Sequence, residues 1–449
     1  MNTDEHRWGG TDDDAQFTHR ARLPHLCLSV SICGFPLSIA GVRLTAMIFL
    51  RTLAIALALP FSALAGDWPQ FRGPDSTGAA HDATISAQPK IDWSIALPGR
   101  GLASPIVVGD KVFVTCASGP KQERLHLFCL SAADGAKLWE RQLKATGRTM
   151  SQDKTCVAAC TPCSDGRHVF AIWSSNDVAA FDLDGNLLWV RGLTADYPNA
   201  SNSLGMASSP IVIAGTLVTM IENDSESYTL GLEAKTGRNL WKLDRPKAAN
   251  WTSPIPWRAN AKADPIVVLQ SKEGLIGVDP VSGSVLWQYT EGASTMSSSV
   301  VAAGVIYAPS NGITALAPKP GASNPEQLWR SKQINPATIS PLVLDGRHFS
   351  MNGAGVLTAA DLKTGDPMWK LRLTGPFSGS PVGAGQRLVA VSEKGLVQIV
   401  NIAAPEGAIA GQLQLPLKEG TKELILCTPA LSEGHIFLRT DSTLWRLGE

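Results

Sequence analysis

Residues 341–373 read PLVLDGRHFSMNGAGVLTAADLKTGDPMWKLRL, a stretch of four short alternating strands separated by tight turns. The turns fall at Asp345-Gly346, Asn352-Gly353 and Thr364-Gly365, where a glycine adopts positive φ without a Cβ clash. A unit of four hairpin-connected strands over about 40–45 residues is typical of one blade of a β-propeller. The fold class therefore depends on whether this unit recurs.

Two marks recur along the chain at blade-length intervals. The first is a Ser-Pro or Thr-Pro step that opens an apolar strand, found at Ser104-Pro105, Thr161-Pro162, Ser209-Pro210, Ser253-Pro254, Ser340-Pro341, Ser380-Pro381 and Thr428-Pro429. Ser298-Ser299 fills the remaining place, so eight marks follow one another at intervals of 40 to 57 residues. The second mark is a turn glycine followed by tryptophan, found at Gly135…Trp139, Gly185…Trp189, Gly237…Trp241, Gly283…Trp287, Gly321…Trp329 and Gly365…Trp369. The pattern predicts an all-β fold, a single eight-bladed β-propeller of four-stranded blades, with one tryptophan wedged at each blade junction.

The two ends of the chain complete one blade. The last unit supplies three strands, ending at 443–447, and its fourth strand is expected at 91–97, where Trp93 takes the junction position. Pairing the two ends closes the ring and removes exposed sheet edges. We therefore expect the propeller at 90–449, with an N-terminal segment at 66–89 before it. Gly411 stands where the seventh blade would have its tryptophan, which predicts that this junction is the loosest.

The first 65 residues are predicted to be absent from the mature protein. Residues 47–65 contain a charged start, a short apolar run and the small-x-small sequence Ala63-Leu64-Ala65, the anatomy of a secretory signal. Residues 1–46 are interpreted as an over-extended start or a processed extension. No other apolar stretch is long enough to span a membrane, so we expect an exported protein, periplasmic or secreted, with no transmembrane segment.

The charge balance narrows the class of partner. The chain has 39 basic and 39 acidic side chains, and 44% of its residues are hydrophobic. Nucleic-acid-binding domains usually carry a clear basic excess, so no nucleic acid is expected. We expect a monomer that binds a protein or a small polar ligand.

The turns of the form Thr-Gly-x-x-x-Trp, as at Thr236–Trp241 and Thr364–Trp369, resemble the repeats of the PQQ-like (pyrroloquinoline quinone repeat) propeller superfamily over essentially all of residues 90–449. The stretch Trp68–Pro74 is similar to the opening of exported bacterial members. The superfamily includes quinoprotein alcohol dehydrogenases and the propeller subunit of the outer-membrane β-barrel assembly machinery. The resemblance is specific for the fold. It says little about function, because one propeller fold carries many activities.

The resemblance implies two classes of function. Quinoprotein dehydrogenases of the eight-bladed type bring a calcium ion, a catalytic carboxylate, stacking aromatics and a disulfide between adjacent cysteines, and this chain has no Cys-Cys pair. We therefore expect a non-enzymatic exported binding or scaffold propeller without a cofactor. The alternative is a PQQ-dependent oxidoreductase that uses PQQ with Ca²⁺ on an alcohol or aldehyde. A scaffold for envelope assembly is a further alternative.

The candidate ligand-binding site is a sector of one face, formed by blades one to three. Their leading loops, 145–159 and 192–207, are long and polar, and they flank the turns 174–177 and 222–226. Mixed charges, amides and aromatics of this kind suit a polar-ligand pocket. The candidate residues are Arg148, Asp153, Lys154, Trp173, Asn176, Asp177, Tyr197, Asn202, Glu222, Asn223, Asp224 and Trp251. The alternative is that they are solvated loop residues present for turn geometry.

Cysteine and histidine patterns predict no metal site. Cys156, Cys160 and Cys163 have a metal-like spacing, but the repeat alignment places Cys160 and Cys163 at core positions of a first strand. Free buried thiols are expected there, although a disulfide through Cys156 stays open. His168, His348 and His435 follow turn glycines of three separate blades, so a common ligand sphere is not expected.

Overall fold

The computed structural model of the protein describes residues 66–80, 83–152, 154–200, 204–418, 420 and 423–449. These ranges cover the predicted propeller at 90–449 except for a few positions. The predictions made for residues 1–65 and for the candidate residues Asp153 and Asn202 lie outside the described residues.

The chain forms eight sheets, each built on a four-stranded antiparallel blade, so the prediction of an eight-bladed propeller is confirmed. Seven blades consist of four consecutive strands, and the eighth takes its fourth strand from the N-terminal side of the chain. Two strands precede the first blade, β1 (Ala79–Ala80) and β2 (Lys90–Ala96). Blades one to four contain the strands β3 (Ile106–Val108), β4 (Lys111–Ser118), β5 (Arg124–Ser131) and β6 (Lys137–Lys144); β7 (Cys163–Ser164), β8 (His168–Ile172), β9 (Asp177–Asp182) and β10 (Leu187–Gly192); β11 (Ile211–Ile213), β12 (Thr216–Ile221), β13 (Tyr228–Glu233) and β14 (Asn239–Asp244); and β15 (Ile255–Trp257), β16 (Ile266–Ser271), β17 (Gly274–Val278) and β18 (Val285–Tyr289).

The second half of the ring repeats the arrangement. Blades five to eight contain the strands β19 (Val300–Ala302), β20 (Val305–Pro309), β21 (Ile313–Ala317) and β22 (Glu326–Ser331); β23 (Leu342–Leu344), β24 (Arg347–Met351), β25 (Val356–Asp361) and β26 (Pro367–Arg372); β27 (Val382–Ala384), β28 (Arg387–Val391), β29 (Leu396–Asn401) and β30 (Ala408–Gln414); and β31 (Ala430–Ser432), β32 (His435–Arg439) and β33 (Thr443–Gly448). Helical structure in the described residues is limited to the 3-10 turn Pro74–Ser76 and the short helix α1 (Leu193–Asp196), and neither could cross a membrane.

Burial explains why the strands differ in sequence. The first strands of neighbouring blades contact one another around the propeller axis, and the second and third strands are buried on both faces. These strands therefore read as nearly continuous apolar runs. The fourth strands alternate between exposed and less exposed positions, because successive side chains point to opposite faces and one face meets solvent.

Ring closure joins the two ends as predicted. Strand β2 pairs antiparallel with β33, with Trp93 opposite Arg446 and Ile95 opposite Leu444. The eighth blade therefore has the order β31-β32-β33-β2, in which the outermost strand comes from the N-terminal side of the chain.

The N-terminal segment 66–80 lies across the inner ends of several blades. Trp68 forms a bridge with Val107 of blade one, and the amide of Ser164 in blade two donates to the Pro69 carbonyl at 2.8 Å. Strand β1 pairs in parallel with β27 of blade seven. One short segment therefore links blades on different sides of the axis, on the face where first strands turn into second strands.

The junction tryptophans occupy the predicted place. Five of them donate an indole N–H to a backbone carbonyl of the next blade, at 2.8–3.2 Å: Trp93, Trp139, Trp189, Trp241 and Trp329. At Gly411, where this tryptophan is missing, the backbone of Ala87 fills the space and Gln88 donates to the Ala410 carbonyl at 3.1 Å.

The described cysteines are free, buried thiols: Cys116, Cys129, Cys156, Cys160, Cys163 and Cys427. Burial raises the pKa of each thiol, that of Cys156 to about 12. These thiols are therefore core groups and poor nucleophiles.

Candidate functional site

The eight Ser and Thr marks form a ring of hydroxyls around the propeller axis. The backbone N–H of each of the first seven marks donates to the side-chain hydroxyl of the next blade's mark at 3.0–3.1 Å. These bonds run consecutively from Ser104 through Thr161, Ser209, Ser253, Ser298, Ser340 and Ser380 to Thr428. The following proline favours an extended backbone at the mark. Ser298 has no such proline and still takes its place in the ring, as the repeat alignment predicted.

This ring surrounds a cavity of about 670 Å³, which we call the axial cavity. All eight marks contribute to its wall, together with the aromatic side chains of Phe71, Trp251 and Phe377. The loops that lead into the first strands lie at its mouth, where Met296 is 48% exposed. Volume and mixed lining both fall in the range of small-molecule and side-chain binding sites.

The N-terminal segment provides one boundary of the axial cavity. Phe71 lies on the cavity wall, while its neighbours Trp68 and Arg72 are fully buried. The Asp67 carboxylate accepts from the Gly109 amide at 2.8 Å, which holds the segment against the first turn of blade one. The segment thus approaches the cavity from the face opposite its mouth.

The charged side chains on the described wall are Lys154 and Glu393. The Lys154 Nζ atom lies 3.1 Å from Glu393 Oε1, although the residues belong to blades two and seven. The Glu393 side chain is 9% exposed and also accepts from the Ser378 hydroxyl at 2.6 Å. The pair therefore connects two separate sides of the cavity mouth.

Two of the predicted site residues line this cavity, Lys154 and Trp251. The indole N–H of Trp251 donates to the Gly205 carbonyl at 3.0 Å, which ties the leading loop of blade four to that of blade three. Lys154 comes from the long leading loop of blade two, which also supplies Gln152, Thr155 and Ala159 to the wall, and the long loop of blade three supplies Leu204 and Ala207.

The predicted residues of blade two lie inside the protein. Trp173, Asn176 and Asp177 are each at most 2% exposed. The Asp177 carboxylate accepts from the Thr146 amide at 3.0 Å and from the hydroxyls of Thr146 and Ser175 at 2.6 Å. Asp177 therefore shapes the loop at 145–147, because its carboxylate oxygens are used within the protein.

Buried contacts also hold the predicted residues of blade three. Glu222 accepts from Arg245 at 2.6 Å and from Asn250 at 2.9 Å, and burial raises the pKa of its carboxyl while the Arg245 charge opposes that shift. Asn223 donates to the Glu226 carbonyl within its own turn.

Of the remaining candidates, Tyr197 is held by contacts within the protein. The Tyr197 ring lies 4.5 Å from that of Tyr228, measured between centroids, and its hydroxyl accepts from Asn239 at 2.7 Å. Arg148 and Asp224 are exposed.

Sequence reasoning missed Glu393, Phe377 and Phe71. Glu393 lies in the short turn Ser392–Gly395, where the polar residues have ordinary turn roles, and Phe71 lies before the first repeat. One signal was present: a carboxylate in a turn that the repeat directs toward the axis. Its significance depends on Lys154, 239 residues away.

The wall supplies few groups suited to a quinone cofactor that carries carboxylates. Aromatic rings are present for stacking, but the one lysine on the described wall is bonded to a carboxylate. No group of three or more His, Cys, Asp or Glu side chains in the described residues has metal-binding geometry. The described wall therefore offers such a cofactor aromatic rings and one lysine that a carboxylate already pairs.

Sequence comparisons relate the chain to two classes of protein. A family model described as outer membrane protein assembly factor BamB matches residues 83–230, 205–312 and 309–415. Polyvinylalcohol dehydrogenase from a Pseudomonas species is 23% identical over 391 residues, a match that covers 77% of this chain and 58% of that enzyme. The chain thus spans little more than half the length of this curated relative.

Solved structures of both classes share the fold. BamB from Moraxella catarrhalis matches with a TM-score of 0.55 at 14% identity, over 80% of this chain and 98% of that one. Quinohemoprotein alcohol dehydrogenase from Comamonas testosteroni matches with a TM-score of 0.64 at 14% identity, over 86% of this chain and 82% of that one. At these identities the likeness establishes the propeller fold and leaves the activity to be argued from the site.

Proposed function

We propose that this chain, which belongs to the PQQ-like propeller family described as outer membrane protein assembly factor BamB, works as a non-enzymatic binding propeller of the cell envelope. The observation that carries the proposal is the axial cavity, to which all eight blades contribute a hydroxyl and whose described charges are already paired. Such a wall suits recognition of a polar group. It offers no unpaired acid or base for proton transfer among the described residues.

The blade one-to-three sector takes part as the rim of this cavity. Trp251 would contact the bound group directly and Lys154 lies beside it on the cavity wall, whereas exposed Arg148 and Asp224 would meet a larger partner around the mouth. Asp177 and Glu222 act at a distance, because they hold the loops that carry the rim. Asp153 and Asn202 lie in the same leading loops by sequence and outside the described residues, so their part in binding stays a prediction.

Export to the periplasm or the cell exterior is part of the proposal. It rests on the charged start, short apolar run and small-x-small sequence of residues 47–65. The family's description, an outer membrane assembly factor, agrees with an envelope location. The mature protein would act as a monomer on a protein or small polar ligand.

Affinity capture from envelope extracts tests whether the protein works as such a binding propeller, which we call the platform. Trp251→Ala removes a rim aromatic and Asp224→Ala removes an exposed rim charge, and both should abolish capture of a partner that wild type retains. Glu406→Ala, at an exposed position of blade seven, is the matched control. Melting temperatures should stay close to wild type. Capture that survives both rim changes would place the contact surface elsewhere.

The second candidate is a quinone-dependent dehydrogenase, favoured by the match to polyvinylalcohol dehydrogenase. In that case the rings of Phe71, Trp251 and Phe377 would stack the cofactor, which would accept the electrons from an alcohol. Calorimetric titration of the protein with PQQ and Ca²⁺ separates the two candidates. A stoichiometric isotherm with a dissociation constant in the micromolar range or below would favour the dehydrogenase. A flat trace, under conditions in which a known quinoprotein binds PQQ, would favour the platform.

A further inference from the structure

The ion pair at the mouth of the axial cavity is asymmetric in burial. The Glu393 side chain is 9% exposed, whereas that of Lys154 is 68% exposed. A carboxylate removed from water needs a cationic or hydrogen-bonding partner, while an exposed lysine is well solvated wherever it points. The carboxylate is therefore the group in need of a partner, and Lys154 can leave at little cost.

Glu393 is also the fixed member of the pair. Its Oε1 atom accepts from the Ser378 hydroxyl at 2.6 Å, its amide donates to the Pro376 carbonyl at 2.8 Å, and its carbonyl accepts from the Ile425 amide at 3.1 Å. These bonds hold the turn against the leading loops of blades seven and eight. The carboxylate thus keeps its position when its partner changes.

Lys154 reaches this carboxylate from the other side of the mouth. Its loop is attached to blade three, where the Thr155 hydroxyl donates to the Leu204 carbonyl at 2.8 Å. The side chain crosses from blade two to blade seven and places an alkyl ammonium beside the cavity. The protein thereby presents its own example of the chemical group that Glu393 accepts.

The rest of the wall favours the same chemistry. Phe71, Trp251 and Phe377 line the cavity that Glu393 shares. Aromatic rings attract an ammonium group and give no such advantage to a neutral alkyl group of equal size. A cavity whose wall combines a fixed carboxylate with aromatic rings is suited to an aliphatic cation.

We propose that Glu393 anchors an aliphatic ammonium group of the ligand in the axial cavity, and that Lys154 is an intramolecular latch which this ligand displaces. The inference rests on the proposed function and names the chemistry of its ligand. Lys154 competes with the incoming cation for one carboxylate. Removal of a lysine should therefore strengthen the binding of a cation.

Calorimetric titration of the full-length protein with N-acetyl-lysine methylamide measures the exchange. Lys154→Ala should raise the affinity about two- to fivefold, the range expected for loss of an exposed competing ion pair. Lys394→Ala removes the same charge from the residue next to Glu393, where the side chain is exposed, and should leave the affinity unchanged. Unchanged or weaker binding by Lys154→Ala would overturn the latch, and Lys154→Ala is expected to fold because its side chain lies at the surface.

Two further measurements test the anchor. Glu393→Gln should weaken the lysine probe about tenfold or more, since a charged hydrogen bond becomes a neutral one. N-acetyl-norleucine methylamide, the uncharged counterpart, should not bind wild type. Equal binding of the two probes, or an unaffected Glu393→Gln variant, would overturn the proposal.

The source of the ammonium group is distinguished by a second pair of probes. The tripeptide Gly-Lys-Gly represents a lysine carried by a protein partner, and spermidine represents a free polyamine; the tighter probe identifies the source. Partner capture that continues in Glu393→Gln while no amine probe binds would overturn the ammonium inference and leave the platform intact. Loss of capture in Trp251→Ala together with amine binding to wild type supports both.

Discussion

His348 shows how a shift of one residue changes the environment of a side chain. The repeat predicts the same turn-edge position for His348 as for His168 and His435. In the structure, His435 pairs with the last residue of the first strand of its blade, whereas His348 pairs with Val343, one residue before the last. One step along a strand turns a side chain to the other face. His348 is consequently fully buried, with neither ring nitrogen hydrogen-bonded within the described chain.

The burial of His348 predicts a loss of stability in acid. Burial, aided by the charge of Arg72, lowers the pKa of His348 to about 3, against an ordinary value of 6.5. As the pH falls below 6.5 the unfolded chain takes up the proton first, so the free energy of unfolding falls by about 1.4 kcal/mol per pH unit from this group. This contribution is complete above pH 6.5 and is lost toward pH 3.

Chemical denaturation between pH 7 and pH 4 measures the slope. His348→Leu should flatten it, whereas His168→Gln, at a partly exposed position bonded to Asp165, should leave it close to that of wild type. An unchanged slope in His348→Leu would assign the acid sensitivity to other groups.

At the scale of the blade, the recurring glycine and tryptophan belong to neighbouring units. A Cβ atom placed on Gly365 would lie 2.5 Å from the Trp329 ring, and one on Gly237 would lie 2.6 Å from Trp189. The tryptophan of one blade thus packs on the turn glycine of the next. The turn also needs φ near +75° at Gly365, which glycine adopts freely.

Two alanine substitutions distinguish the steric cost of an added Cβ atom from the cost of the left-handed backbone conformation. Gly321 occupies the corresponding turn of blade five with φ +76°, and a Cβ there meets nothing within 4 Å. Gly321→Ala should cost about 1–2 kcal/mol for the left-handed backbone alone. Gly365→Ala should cost about 1–3 kcal/mol more, because the methyl group overpacks the Trp329 ring. Equal losses in urea denaturation would contradict the packing role of this glycine.

At the scale of the whole molecule, the ring is held at the point where the chain ends meet. Strand β2 completes the eighth blade through six paired positions, and Trp93 packs 6.1 Å from Phe437 between ring centroids. The indole of Trp93 also bonds blade one, so this side chain spans the closure. The segment 66–80 adds bonds to blades one, two and seven.

Trp93→Ala should open the closure. Because Trp93 is half-buried, the expected loss lies near the lower end of about 3–5 kcal/mol for removal of a large aromatic side chain. Amide hydrogen exchange should rise in both β2 and β33. Trp329→Ala removes a junction tryptophan between blades that the chain itself connects, and it should leave β2 protected. Protection of β2 in the Trp93→Ala variant would refute the closure role.

The number of blades, the four strands in each and the pairing of the two ends follow from the sequence alone. These features are local or repeat at a regular interval, since glycine turns set the hairpins and each Ser/Thr mark opens one strand. Even Ser298, without its proline, could be assigned from its spacing alone. The seventh junction was different, because the backbone that fills the space at Gly411 comes from Ala87, outside the repeat.

The candidate site was only partly predictable. The long leading loops of blades two and three were visible, and two of their candidate neighbours, Lys154 and Trp251, line the axial cavity. Asp177 and Glu222 looked equally polar in sequence, yet their partners Thr146 and Arg245 hold them inside the protein. Which polar groups face the axis, and which carboxylate Lys154 meets, could be seen only in the folded structure. That outcome depends on how eight blades and their loops are arranged around the axis, which brings together residues whose separation along the chain carries no periodic signal.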